Sequence, residues 1–179
     1  MRQDAKDNYD KIKHHARLLF EQHGVDNVSM NQIASQLNIG SGTLYRHFKD
    51  KGVLCFHLLD EDFNRLFEFF DHVLAQHSTR FEQLDAMLHA ILLFKQDNAS
   101  LLLCIEQHEM KYLFKETTYY NRLFNAFETI FKNDENAAFK TDMLLNALTT
   151  RSFQHQIHYR GLSINHFKNN LLTLFITQS

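Results

Sequence analysis

The chain has 179 residues, 44% of them hydrophobic, with no proline, five glycines and a net charge of −2. That is enough apolar material for a core, which excludes disorder as the organising state, and the scarcity of turn formers favours long helices over a sheet. The near-neutral balance excludes a polycation. Residues 1–52 nevertheless hold eight Lys/Arg against six Asp/Glu, and residues 53–179 hold eleven against fifteen, so positive charge is biased toward the N-terminal third, as a nucleic-acid face there would require.

Tyr9, Ile12, Ala16, Leu19 and Phe20 recur at helical spacing and predict a first helix that Gly24 closes. Ser29 with Gln32 reads as a capping box that opens a second helix, with Ile33, Ala34 and Leu37 inward. Asn38, a residue that tolerates positive φ, marks a tight turn. A short third helix runs from about Ser41 to Phe48, with Leu44 and Phe48 for packing. Asp50 caps a long helix whose apolar stripe continues to about His77. Thr79 with Glu82 opens a helix to about Lys95, and Asp97 or Asn98 starts another through about Tyr112. Further helices are expected over about 116–132 and 136–160. Gly161 then breaks the chain and Ser163 caps a last helix, 164–177. The expected fold is all-α. Residues 1–49 form one domain and residues 50–179 a second, joined by the long helix from Asp50.

Several functions find no support in these residues. No apolar run reaches the roughly 18 residues of a membrane span, and the first residues, "MRQDAKDNYDK", are charged rather than leader-like. A cytoplasmic protein with no membrane contact is expected. Cys55 and Cys104 fall within apolar helical patterns and are read as buried free thiols. His155 and His158 have ligand-like spacing, but no cysteine pair or carboxylate cluster completes a metal site, so neither metal nor cofactor is expected. No G-x-S-x-G, P-loop or H-E-x-x-H motif is present, and an enzyme is not expected.

The second and third helices, short and joined by a tight turn, describe a helix-turn-helix. Such a pair presents the later helix clear of the body so that its side chains reach a major groove, while the earlier helix braces it. The stretch "MNQIASQLNIGSGTLYRHFKDKGVL" resembles the DNA-binding domain of the TetR family of transcriptional regulators. The resemblance rests on Ile33, Ala34, Gly42, Thr43, Leu44, Tyr45, His47, Phe48, Lys51 and Leu54, and it covers about residues 9–56. Asn38 stands where the family usually has a turn glycine, and Gly40 where it has a capping serine.

The resemblance implies phosphate contacts from Thr43, Tyr45 and Lys51, with His47 close to the DNA backbone. Hydroxyls and an ammonium suit phosphate oxygens. Ser29 and Gln32, at the start of the second helix, would touch the other strand. Arg46 is the best reader of a guanine edge through a bidentate pair. Ser41 and Gly42 complete the candidate DNA-binding set, as weaker readers. The alternatives are that Arg46 is a solvated surface charge and that Tyr45 is core.

The C-terminal body, by the same resemblance, binds a small molecule and forms a homodimer. The apolar and aromatic set Phe81, Met87, Phe94, Cys104 and His108 would contribute to a pocket. Tyr112, Tyr119, Phe124 and Phe127 extend it. Their character points to a hydrophobic or amphipathic effector. The last two helices would build a four-helix interface through Leu144, Leu145, Leu148 and Phe167, continued by Leu171, Leu174 and Phe175. The alternative for both sets is ordinary intramolecular core. The combined expectation is a ligand-responsive repressor acting as a dimer on double-stranded DNA. Its rival is a helical protein-interaction module that does not bind DNA.

Overall fold

The computed structural model describes residues 2–76, 79–108 and 110–176, without the side chains of residues 2–7, 111 and 112. The expected helix ends at His77 and Thr177, and the Tyr112 side chain, lie outside what is described. Among the described residues the regular structure is helical throughout.

Three helices open the chain: α1 (Arg2–His23), α2 (Met30–Gln36) and α3 (Ser41–His47). Gly24 ends α1 at φ +81°, where its N–H reaches the Phe20 carbonyl at 2.9 Å. α2 ends on Asn38 at φ +52°. The Ile39 N–H bonds the Ala34 carbonyl at 3.0 Å and the Asn38 N–H bonds the Ser35 carbonyl at 3.1 Å. These are the two closing bonds of a Schellman motif. Asn38 therefore does the work a glycine does elsewhere, because its short polar side chain tolerates the left-handed region.

The helix expected from Asp50 to about His77 is interrupted once. α4 (Lys51–Leu58) stops at Leu59, and α5 (Asp60–Gln76) starts immediately after it. Asp60, Glu61 and Asp62 place three carboxylates in the first turn of α5, at the positive end of its dipole. α6 (Arg80–Asp97) carries the expected capping box at Thr79 and Glu82. Asn98 closes α6, its backbone N–H and its Nδ2 both donating to the Phe94 carbonyl at 3.1 and 3.0 Å, and the new helix expected here starts at the next residue. α7 (Ala99–Gln107) and the short α8 (Met110–Leu113) replace the single helix expected through Tyr112.

α9 (Thr118–Phe131) follows a Thr117 cap. The stretch expected as one helix over 136–160 is three pieces: α10 (Ala137–Ala147), α11 (Thr150–Gln154) and a π-helical turn, His155–Tyr159. Thr149 makes the break, its hydroxyl accepting from the Ser152 N–H at 3.3 Å. Gly161, at φ +69°, leads to the Ser163 cap and α12 (Ile164–Phe175).

The chain groups into two compact units, Met1–Glu61 with Ser100–Leu113, and Asp62–Ala99 with Phe114–Ser179. In the first, Ile12, Ala16, Leu19, Val28, Ile33, Leu44, Phe48 and Leu54 form the buried centre. In the second, α6 packs against α12 and α9 against α10, around Leu84, Met87, Phe127, Phe131, Leu144 and Leu171. Asp134 ties this unit's surface, accepting from Lys140 at 2.6 Å and from Arg80 at 2.7 Å. Lys168 of α12 pairs with Asp85 of α6 at 2.6 Å.

Candidate nucleic-acid interface

The geometry around α3 follows from two buried side chains. Leu44 and Phe48 are both fully buried and lie four residues apart, so they fix one side of α3 to the domain. Tyr9 of α1 stacks on Phe48 with ring centroids 5.0 Å apart, and His57 of α4 meets the same ring edge-on at 5.8 Å. The opposite side of α3 must then face outward. Ser41, Gly42, Tyr45 and Arg46 are exposed there, with Tyr45 45% exposed. Gly42, Tyr45 and Arg46 share one helical face. Tyr45 is thus a surface residue and not part of the core.

Thr43 and His47 are half-buried at the margins of that face. The His47 ring lies 6.3 Å from Tyr9, and its Nε2 is buried without a hydrogen-bond partner among the described residues. Gly40 is the N-cap of α3 and supplies no side-chain bond. The turn is instead tied by Ser41, whose hydroxyl donates to Asn31 Oδ1 on α2 at 3.3 Å. Asn31 was not singled out in the sequence, since nothing local marks a side chain that braces a neighbouring helix.

Ser29 and Gln32 are exposed and occupied with each other. The Gln32 N–H donates to Ser29 Oγ at 3.2 Å, and Gln32 Oε1 accepts from the Ser29 N–H at 2.7 Å. Both form the predicted capping box, so a DNA contact from either has to be made by atoms the cap leaves over. Lys51 is half-buried at the first turn of α4, its Nζ 5.8 Å from the Phe20 ring centroid. Asp50 caps this helix by accepting from the Val53 N–H at 2.8 Å.

The expected effector residues are divided between the two units. Cys104, 2% exposed, and half-buried His108 belong to the first. Phe81, Met87, Phe94, Tyr119, Phe124 and Phe127 belong to the second. Met87 and Phe127 are fully buried in its core, whereas Phe94, Tyr119 and Phe124 are half-buried and Phe81 is exposed. Phe63 links part of this set: its ring stacks on Tyr119 at 4.9 Å and lies 5.2 Å from Phe94. Among the residues expected at a dimer interface, Leu144, Leu148, Phe167 and Leu171 are buried inside the chain. Leu145 and Phe175 are half-buried, and Leu174 is 76% exposed. Phe139, Met143 and Tyr159 are further exposed apolar side chains in the same part of the chain.

The description "Bacterial regulatory proteins, tetR family" matches residues 12–58, the stretch that forms the helix-turn-helix and the start of the following helix. An HTH-type transcriptional regulator of Staphylococcus aureus strain MRSA252 is 41% identical over 180 residues, covering 99% of this chain and 97% of the relative. The fold is similar to a TetR/AcrR-family regulator from Thermobifida fusca, with a TM-score of 0.65, 16% identity and coverage of 96% and 98% of the two chains. It is also similar to FadR from Bacillus subtilis, solved in complex with stearoyl-CoA, with a TM-score of 0.68, 15% identity and coverage of 96% and 99%. Exposed α3, its buried anchors and a relative matched along nearly its whole length agree: the chain belongs to the TetR family of bacterial helix-turn-helix transcriptional regulators.

Proposed function

We propose that this regulator is a ligand-responsive repressor, acting in the cytoplasm as a homodimer on an inverted-repeat operator. The observation that carries the reading is the outward face of α3. Arg46 and Tyr45 project from a helix whose other side is locked by fully buried Leu44 and Phe48. A guanidinium on that face suits the O6 and N7 acceptors of guanine. Thr43, Tyr45 and Lys51 suit phosphates, which set register without reading sequence. Residues 1–49, with Lys51 just beyond them, are assigned to operator binding, and the rest of residues 50–179 to effector binding and dimerisation. Two copies of α3 about 34 Å apart would match one turn of duplex. Exposed Leu174, Phe139 and Met143 support a dimer surface, because apolar side chains of this size favour being covered.

The aromatic set around Phe63, with Phe94 and Tyr119, supports an apolar or amphipathic effector. The stearoyl-CoA bound by FadR shows that a protein of this fold accepts such a molecule. The effector would act by preferring a state in which the helix after Asp50 swings and the two recognition helices change separation.

Selection of bound sequences from a random duplex pool at moderate salt tests the reading. Enrichment of an inverted repeat supports a dimeric operator-binding protein. Absence of duplex binding even at low salt overturns it in favour of an interaction module, since phosphate contacts strengthen as salt falls. On the selected duplex, Arg46→Ala should cost about 1–3 kcal/mol and relax the preference at one position of each half-site, read by titration against single-base variants.

A further inference from the structure

The chain's two cysteines lie far apart in sequence, yet the fold brings them together within one unit. Cys55 on α4 and Cys104 on α7 are free thiols, 0% and 2% exposed, and each side chain acts directly on the titration of the other. His108 stands one turn beyond Cys104. Its Nδ1 is 2.7 Å from the Cys104 carbonyl oxygen, which accepts from it, and 3.8 Å from Cys104 Sγ. The α4 backbone meets the same turn of chain: a Cβ on Gly52 would stand 2.5 Å from His108 Cβ. Lys51 lies four residues before Cys55, on the same side of α4, and its charge reaches both sulfurs.

Two cysteines buried as plain core would meet only apolar neighbours. These lie beside each other and an imidazole, within reach of an ammonium charge. The hydrogen bond from Cys55 holds the Cys104 thiol below its usual range; burial opposes this, and the nearby His108 and Lys51 assist it. Cys55 is pushed up by the same hydrogen bond and by its burial. One sulfur is thereby favoured as the thiolate nucleophile and the other as its proton-bearing partner.

We propose that Cys55 and Cys104 are a dithiol oxidised by peroxide to an intrachain disulfide that ties α4 to α7 and weakens duplex binding. The Cys104 thiolate attacks one peroxide oxygen, the O–O bond breaks, and the departing oxygen leaves as hydroxide that takes up a proton to form water. Cys104 is then a sulfenic acid. Cys55 gives up its proton and attacks the Cys104 sulfur, the S–O bond breaks, and a second water leaves. Two electrons pass from the two sulfurs to the peroxide, and a dithiol reductant reverses the change. Burial of both sulfurs restricts the site to small oxidants.

The consequence for DNA follows from chain geometry and rests on the operator-binding function proposed above. An S–S bond is about 2.05 Å long, closer than unbonded sulfurs sit, and the proposed coupling is that α4 moves with its cysteine when the bond closes. Only Phe48, Lys49 and Asp50 separate α3 from α4, and Lys51 and Gly52 lie within one turn of Cys55. A shift of α4 is passed to the recognition helix and to Lys51 together.

The test uses the full chain, reduced, then exposed to hydrogen peroxide. Remaining thiols are blocked with N-ethylmaleimide, and the digested protein is weighed by mass spectrometry. The expected product is a linked Cys55–Cys104 peptide in monomer-sized chains, lost on dithiothreitol treatment. Cys55→Ser should stop at a Cys104 sulfenic acid that dimedone captures, and Cys104→Ser should leave Cys55 unoxidised. In parallel, peroxide should weaken binding to the selected duplex at least tenfold, reversibly, whereas reduced Cys55→Ser binds as the wild type does and keeps its affinity after peroxide. No linked peptide, or a link only between chains, overturns the site. A linked peptide with unchanged duplex affinity overturns the coupling. If the reduced protein binds no duplex at all, the operator reading and the coupling fall together, and the disulfide is decided by the mass spectrum alone.

Discussion

At Gly52 the missing side chain is a packing requirement rather than a backbone one. Its Cβ would stand 2.5 Å from His108 Cβ and 3.1 Å from Asp50 Oδ1, closer than packed atoms sit. Gly52→Ala should therefore destabilise the protein by about 1–3 kcal/mol, the usual cost of forcing a methyl into filled space. The change is read as a lower Tm and an earlier urea midpoint. Adding His108→Ala should not restore it, because alanine keeps the Cβ that makes the closest approach. An unchanged Tm for Gly52→Ala would show that α4 and the end of α7 are not in contact. The residues that position α3 were legible one by one: Leu44 and Phe48 are the buried anchors their spacing implies, and Arg46 is exposed. The contact of Cys55 with Cys104 was not legible, since it depends on where α7 returns and no local pattern encodes that.

Helices are delimited by side chains that satisfy the unpaired backbone groups at their ends, and those signals carried most of the element boundaries here. Ser29 with Gln32, Thr79 with Glu82, and Ser163 each cap where their sequence pattern places them. The breaks at Leu59 and Thr149 were missed because apolar periodicity runs straight through them. Leu58, Leu59 and Phe63 continue one buried stripe across the gap between α4 and α5. The informative sign was the acidic run at Asp60, Glu61 and Asp62, which belongs at a helix start. The exit of α2 gives a direct test of such a boundary. Asn38 holds φ +52°, and its own N–H and that of Ile39 make the two closing bonds of the turn into α3. Asn38→Ala should cost about 1 kcal/mol, since alanine resists that region, while Asn38→Gly should match or exceed the natural protein. Urea midpoints of the three proteins, at constant m, decide it. Equal midpoints for alanine and glycine would mean that the turn does not hold a left-handed residue.

For the whole molecule, stability should fall in acid, and each compact unit has a carboxylate that makes it do so. Asp60 belongs to the first unit. Burial works to raise its pKa, but hydrogen bonding from His57 at 3.3 Å and Lys13 at 3.2 Å outweighs that and leaves it below the usual aspartate range. Asp134 belongs to the second. The hydrogen bond from Lys140 lowers it most, burial opposes, and Arg80 lowers it further. A carboxyl group whose pKa is lower folded than unfolded binds protons more readily when unfolded. Its stabilising contribution is therefore complete above the unfolded value of about 3.9 and is lost as pH falls through the lower folded value. Urea unfolding free energies should be flat in this contribution from pH 7 to about 5 and decline below about pH 4. Asp60→Asn and Asp134→Asn should each remove part of that acid slope, at a cost of about 1 kcal/mol or less at pH 7, because both ion pairs remain partly open to water. The two effects should add, since the carboxylates lie in different units, one held by Lys13 and His57 and the other by Arg80 and Lys140. An acid slope in the double variant equal to that of the natural protein would assign the loss of stability to other carboxylates.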